Sequence, residues 1–250
     1  LLAKAADLGV RFLSITDHDS TEGLEQALQL PLPADLKLIP GIEVSAGGES
    51  PCHILGYGIR VADSTFQKKL AEFREQRIGR LRAMVDRLKE LGIEISFERV
   101  KEIAGAATLG RPHLADALVE KKVVRSRKEA FQKYLNHNGS AYVAGNAPPS
   151  RDIIALIRAA GGVPVLAHPA YYCNEEYLKT LADEGLMGLE VYYPDVSRAL
   201  RERFLVLAKQ FNLIATGGSD YHGPRTGRSE LACVDVPETV IDELLKCQVL

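Results

Sequence analysis

Long apolar runs, paired cysteines and a large net charge are all missing from this sequence, and each absence removes a class of protein. No apolar stretch in the 250 residues reaches the ~18 that a membrane-spanning helix needs, and no basic-then-apolar leader stands before the first helical pattern. The 4 cysteines, Cys52, Cys173, Cys233 and Cys247, are scattered and form no CxxC pair. That argues against both a disulfide framework and a thiolate zinc site. A reducing, cytoplasmic setting is expected. Lysine plus arginine number 31 against 33 aspartate plus glutamate, a formal charge of −2. The surface as a whole is therefore not built to wrap a polyanion by counterion release, and an anionic substrate must be met by local charge. Repeats and low-complexity tracts are absent too.

What is present is a soluble, globular pattern: 46% hydrophobic side chains, enough for one large domain or a domain carrying a sub-domain. "LLAKAADLG" sets Leu1, Leu2, Ala5, Ala6 and Leu8 on one helical face and stops at Gly9; the strand "VRFLSI" follows directly. Ser20 or Thr21 can cap the next short helix, and "PLP" breaks it before the strand "LKLIPGIEVS". The last third alternates in the same way, through "RDIIALIRAA", "VPVLAHP", a helix at about Glu175 to Glu184, "MGLEVYYP", a helix from Ser197 to Gln210 and "NLIATGGSDYH". Alternation with near-continuous apolar strands predicts a parallel sheet covered by helices.

Between these parts the period changes. Phe66, Leu70, Phe73, Ile78, Leu81, Val85, Leu88 and Leu91 recur at helical spacing, and shorter helical patterns follow around 97–104, 112–121 and 127–135. Residues 64–148 thus read as a helical insertion domain, with 1–63 and 149–250 forming the α/β scaffold. The arginines and lysines of the long helix are interleaved with glutamates and read as a solvated face.

Titratable residues gather at strand ends, where loops of parallel α/β folds converge on one face. "LSITDHD" ends in His18, "LIPGIEVS" carries Glu43, "PCHILGYG" contains His53, "VPVLAHP" ends in His168, and "LIATGGSDYH" ends in Asp220 and His222. Singly, each has a plain structural reading: a capping histidine, a carboxylate paired with arginine, a buried imidazole, a turn residue. Together they would crowd like-natured groups into one pocket, which is costly unless a cation compensates. Imidazole and carboxylate without thiolate suits Mn²⁺, Fe²⁺ or Zn²⁺, and a carboxylate such as Glu43 can bridge two ions. Bridged divalent ions activate water and clamp an in-line phosphoryl displacement, so phosphoester hydrolysis is expected. Arg111 in "LGRPHLADAL", where Pro112 starts a helix, and Arg225 in "HGPRTG" are candidates to receive substrate phosphate, with a surface arginine near a cap as the plain alternative. Glu190 ends another strand without an assigned role, and His137 falls in a polar stretch and is expected to be solvent-exposed.

With these residues in place, the sequence resembles the polymerase and histidinol phosphatase family, through "TDHD", "GIEVS", "HILGYG", "GRPHLA", "AHP" and "GSDYH" in that order. The helical insert with "GRPH" resembles the branch that dephosphorylates nucleoside 3',5'-bisphosphates such as pAp and trims short RNA from the 5' end. The resemblance implies a distorted (β/α)7 barrel with up to three divalent ions, Mn²⁺ foremost. Glu43 would bridge, His53 and His168 would complete one site, Asp220 would serve a second ion, and His18 and His222 would hold a third. Glu43, Asp220 and His222 would be catalytic, a metal-held hydroxide the nucleophile, and Arg111 and His113, with Arg225 behind them, would approach substrate phosphate. Family members open with a strand bearing HxH and then Asp. None precedes Leu1, and that strand is expected to lie outside this chain. The expected partner is a small nucleotide or short oligoribonucleotide. Histidinol phosphate or another small phosphomonoester is the alternative substrate, and a non-catalytic metal-binding module is the alternative role.

Overall fold

The computed structural model describes residues 1–47, 51–171, 173–224 and 228–247. It divides into two compact units, one formed by Leu1–Gln67 with Pro148–Leu250 and the other by Lys68–Ala147.

In the first unit, helix α1 (Leu2–Asp7) leads into strand β1 (Phe12–Ile15), and α2 (Glu22–Leu28) connects β1 to β2 (Lys37–Ala46), which is followed by β3 (Cys52–Tyr57). Thr21 stands at the N-cap of α2 but makes no cap bond; its hydroxyl donates to Glu25 Oε1 at 2.5 Å instead. Beyond the second unit come α7 (Ser150–Ala159), β4 (Val163–Leu166), α8 (Glu175–Asp183), β5 (Gly188–Tyr192), α9 (Arg198–Gln210), β6 (Ile214–Gly217) and α10 (Thr239–Cys247). The six strands form one curled sheet in the order of the sequence.

The sheet is mixed, which corrects the expectation of a parallel one. Strand β1 runs parallel to β2, and β4, β5 and β6 are mutually parallel, but β3 is antiparallel to both β2 and β4. The reason is the length of the β2–β3 link. Residues 47–51 suffice for a hairpin, whereas a parallel crossover takes a dozen or more. An apolar strand carries no mark of its direction, so the reversal was not legible in β3 itself.

Register assigns the faces. Glu43 pairs with Leu55 and Ser45 with His53, so Glu43, His53, Leu55 and Tyr57 share one side of the sheet. Leu55, Tyr57, Val163, Val165, Ala167 and Ile214 form a core there with Val240 and Leu244 of α10. Each buried valine, leucine or isoleucine there stabilises the fold by about 1.5–3 kcal/mol. On the opposite side α7 packs so closely that a Cβ on Gly56 would lie 3.0 Å from Ile157. The core fills the middle of the sheet and leaves one rim for polar groups.

The second unit is helical. It contains most of α3 (Ser64–Glu90), then α4 (Phe97–Ala104), α5 (Arg111–Glu120) and α6 (Arg127–Ala130), with one π-helical turn at Phe131–Leu135. Leu81, Met84, Leu88, Val100, Leu114, Leu118 and Leu135 make its core. None of the four cysteines is disulfide-bonded. No described helix is long and apolar enough to cross a membrane.

Two glycines separate local from tertiary demands. A Cβ on Gly217 would sit 2.3 Å from the Tyr192 carbonyl, at the bulge between β5 and β6. Gly217→Ala should therefore destabilise by about 1–3 kcal/mol. Gly79, inside α3, has nothing within 4 Å of such a Cβ, and Gly79→Ala should stabilise by up to about 1 kcal/mol. Thermal denaturation followed by circular dichroism checks both signs.

Candidate metal centre

The TDHD corner is tied to β2 beyond the regular ladder. Glu43 N donates to Asp17 O at 3.2 Å, Asp19 N donates to Glu43 O at 2.9 Å, and His18 bridges to Glu43 in parallel register. Asp19, 1% exposed, accepts from Ser45 N through Oδ1 at 3.0 Å. Its φ of +50° lies in the left-handed region, where aspartate is among the tolerated residues. The apolar strand β1 thus ends in polar residues because they continue the pairing and set His18 beside Glu43.

Glu43 is the centre of the arrangement. It is 5% exposed. Its Oε1 lies 2.8 Å from His53 Nδ1 and 3.0 Å from His168 Nε2, and its Oε2 lies 3.6 Å from His18 Nδ1. The two ring nitrogens facing Oε1 are 3.2 Å apart. Burial pushes the Glu43 carboxyl up, but the charges of His18 and His53 and the hydrogen bonds from His168 and His53 outweigh it, leaving the group well below the ordinary carboxylate range. Glu43 is therefore a buried anion, with imidazoles supplying the compensation.

His222 joins from the end of β6, its ring centre 6.4 Å from that of His18. Its Nδ1 lies 2.6 Å from the Asp220 backbone oxygen, so Nδ1 carries the proton and Nε2 is the basic nitrogen. Asp220, at φ +46°, is paired with Arg228, whose other terminal nitrogen reaches Asp195 Oδ2 at 2.9 Å. On the same rim, Asp17 is raised above its ordinary value by burial, with His222 opposing.

His18, Glu43, His53, His168, Asp220 and His222, chosen from the sequence, are thus linked through contacts within the first unit. Two details differ from the strand-end expectation: Glu43 lies inside β2, and His53 stands near the start of β3. An antiparallel strand begins at the rim where its parallel neighbours end, so both positions reach the same edge. Sequence reasoning missed Asp19, Arg228 and Asp195, and gave Glu190 no role. Glu190 is buried, and burial pushes its carboxyl up to about 7. Short polar side chains at turns are common everywhere, so only the tertiary contacts distinguish these.

Arg111 and His113 belong to the helical unit. Arg111 donates to Leu135 O at 3.3 Å and lies over the Phe131 ring, 5.7 Å from its centre. Burial and the neighbouring Arg80 and Arg77 charges lower its proton affinity, with Tyr142 opposing. His113 Nδ1 accepts from Gly110 N at 3.1 Å, which caps α5 and leaves the proton on Nε2. Arg225 lies outside the described residues. His137 is exposed, as expected.

The donor set fits a divalent ion. The ligand atoms of His18, Glu43 and His53 lie within 4.8 Å of one another. Glu43 Oε1, His53 Nδ1 and His168 Nε2 form a triangle with edges of 2.8, 3.0 and 3.2 Å. Adjacent ligands on an ion with bonds of about 2.1 Å are about 3 Å apart. Protons alone cannot serve all three edges, because both rings point at one oxygen.

No family model matches the chain. It is 34% identical, over 89% of its length and 87% of the relative's, to a phosphoribosyl 1,2-cyclic phosphate 1,2-diphosphodiesterase from Eggerthella lenta. A 3',5'-nucleoside bisphosphate phosphatase from Chromobacterium violaceum is 30% identical over 91% of this chain and 82% of its own, and the 5'-3' exoribonuclease Rnm of Salmonella typhimurium 33% over 90% and 79%. A crystal structure of a metal-dependent phosphoesterase from Bifidobacterium adolescentis superimposes with a TM-score of 0.89 at 30% identity, covering 100% of this chain and 90% of that one. An α/β fold with a carboxylate ringed by imidazoles at one rim, in such company, defines a metal-dependent phosphoesterase. The chain belongs to the polymerase and histidinol phosphatase family, in the branch of the nucleoside bisphosphate phosphatases and 5'-3' exoribonucleases.

Asp19 offers a test of how the rim is held. Asp19→Ala removes the acceptor of Ser45 N and leaves alanine at positive φ, so it should destabilise by about 1–3 kcal/mol. Asp19→Asn keeps an acceptor and tolerates that conformation, and should recover most of the loss in chemical denaturation.

Proposed function

We propose that this chain is a phosphoesterase that releases a terminal phosphate from nucleoside 3',5'-bisphosphates such as pAp and trims short RNA in the 5'-3' direction. The observation that carries this reading is the buried Glu43 carboxylate, 5% exposed, within 3.0 Å of both His53 and His168. Relatives bearing those activities in their names are at least 30% identical to the chain.

In this reading Glu43 would bridge ions, His53 and His168 would complete one site, Asp220 would serve a second ion, and His18 and His222 would hold a third, with Mn²⁺ the preferred metal. Divalent ions, when bound, supply Lewis acidity and lower the pKa of water at the site. The protein's part is to hold the donors. Glu43 stays ionised because imidazoles surround it, and His222, with Nδ1 donating to the Asp220 backbone, keeps Nε2 available. Arg111, His113 and Arg225 receive substrate phosphate. Arg111 sits in like charge from Arg80 and Arg77, which an anion relieves, and His113 offers a neutral Nε2–H. The finer architecture is a distorted (β/α)7 barrel interrupted by a helical insertion domain over residues 64–148, acting in the cytoplasm on a small nucleotide or short oligoribonucleotide.

The test is Mn²⁺-dependent phosphate release from pAp and from a short 5'-phosphorylated oligoribonucleotide, with histidinol phosphate and a cyclic phosphate ester alongside. Glu43→Ala should lower turnover by more than about 100-fold, beyond what changes to residues behind the ligands cost. Mn²⁺ at about 100 times its dissociation constant should stabilise the wild type by about 2.7 kcal/mol and leave Glu43→Ala unaffected. Arg111→Ala should cut kcat/KM for pAp by about 10–100-fold, the equivalent of one charged hydrogen bond at about 1.5–3 kcal/mol. Turnover unchanged in Glu43→Ala would sink the assignment. Fewer than two ions per chain with no turnover on any substrate would favour a non-catalytic module.

A further inference from the structure

Strand β4 raises a problem of faces. Val163, Val165 and Ala167 belong to the core on the Glu43 side, together with Leu55 and Tyr57. Leu166 pairs with Ile54 and so occupies the opposite side. Continued alternation would send His168 to that opposite side as well, away from Glu43. The structure nevertheless has His168 Nε2 at 3.0 Å from Glu43 Oε1 and 3.2 Å from His53 Nδ1.

The backbone solves this by leaving the extended region at one residue. Ala167 N still donates to His53 O at 3.0 Å, the last bond of the pattern, and His168 then adopts φ +31°. A non-glycine residue there costs of order 1–3 kcal/mol and persists only when its surroundings hold it. Successive amides of a strand point to opposite sides, so the His168 amide faces away from β3, toward β5. It donates to Glu190 Oε2 at 2.7 Å. Glu190 is itself an unusual choice: it occupies the middle of β5, opposite Thr216 of β6, with 5% exposure, and β5 otherwise buries Leu189 and Val191. Since Val165 pairs with Gly188, Glu190 lies on the Glu43 side of the sheet. A carboxylate buried at such a place costs several kcal/mol unless it accepts hydrogen bonds.

We infer that Glu190 is a positioning residue: its carboxylate accepts the His168 amide, stabilises the left-handed turn at the end of β4, and thereby directs the His168 imidazole onto the face where Glu43 and His53 lie. The role rests on the reading of that cluster as a metal site, and it concerns a bond to a backbone amide, not the charge of Glu190. Glutamine can make the same bond. Leucine cannot, and aspartate falls short of the amide by one methylene.

Mn²⁺ binding to the full chain, measured by isothermal titration with the thermal midpoint of the same samples, tests it. If the wild type binds no Mn²⁺, the metal reading and the role of Glu190 fall together; if it binds, Glu190 is judged by itself. E190Q is expected to stay within about threefold of wild-type affinity, and E190L and E190D to lose about 10–100-fold, the range for residues that orient a ligand from behind. E190D covers the case in which leucine prevents folding. In an H168A background E190L and E190D should have no further effect on affinity, because the ligand they act through is gone. The inference is overturned if E190Q loses as much as E190D, if the loss persists undiminished on H168A, or if the thermal midpoint falls while affinity is unchanged.

Discussion

Everything at the rim depends on one buried anion. An ionised carboxylate at 5% exposure is tolerable only where positive charge and hydrogen-bond donors are already assembled, and Glu43 has three imidazoles from three separate segments around it. This requirement explains features that are otherwise odd one by one. Strand β1 ends in titratable residues because its continuation must deliver His18 opposite Glu43. Strand β3 carries His53 as its second residue because its first residues lie at the same edge. In the proposed reading the same donors would hold divalent cations, which would supply Lewis acidity there.

The sheet supplies the edge and departs from regularity to use it. Asp19, His168 and Asp220 all adopt positive φ, at +50°, +31° and +46°, each just beyond a strand, and each beside or at a residue of the cluster. Left-handed conformations in non-glycine residues are uncommon and costly, so three of them around one pocket reflect a local demand stronger than backbone preference. That demand is directional. A strand offers two faces in strict alternation, and a side chain that must break the alternation needs a turn. At two of the turns tertiary bonds offset the cost, from the Ser45 amide to Asp19 and from the His168 amide to Glu190.

How much of this could be read in advance varied with the physical signal. The alternation of helices and strands was legible because apolar periodicity is strong, and so was the long helix beginning at Ser64, whose leucines recur at helical spacing. The six cluster residues were legible because histidine and acid at the ends of apolar runs are rare and, taken together, self-consistent. The direction of β3 was not, since a fully buried strand reads alike both ways and only the short link over residues 47–51 forbids a crossover. Glu190 was expected at a strand end and lies instead in the middle of β5; its use was hidden, because its contact is with an amide and not with another conspicuous side chain. Arg228 and Asp195 carried no signal at all. An arginine after a polar stretch has many fates.

The amino-acid sequence by itself determined the chemistry on offer: imidazole and carboxylate without thiolate, a near-neutral surface, and apolar runs whose periods specify helix or strand. These follow from side-chain type and local spacing. The tertiary structure decided which of those groups meet, on which face, and in what protonation state. Pairing register, the reversal of β3 and the left-handed turns depend on contacts between segments as far apart as Glu43 and His168, whose consequences no local pattern encodes.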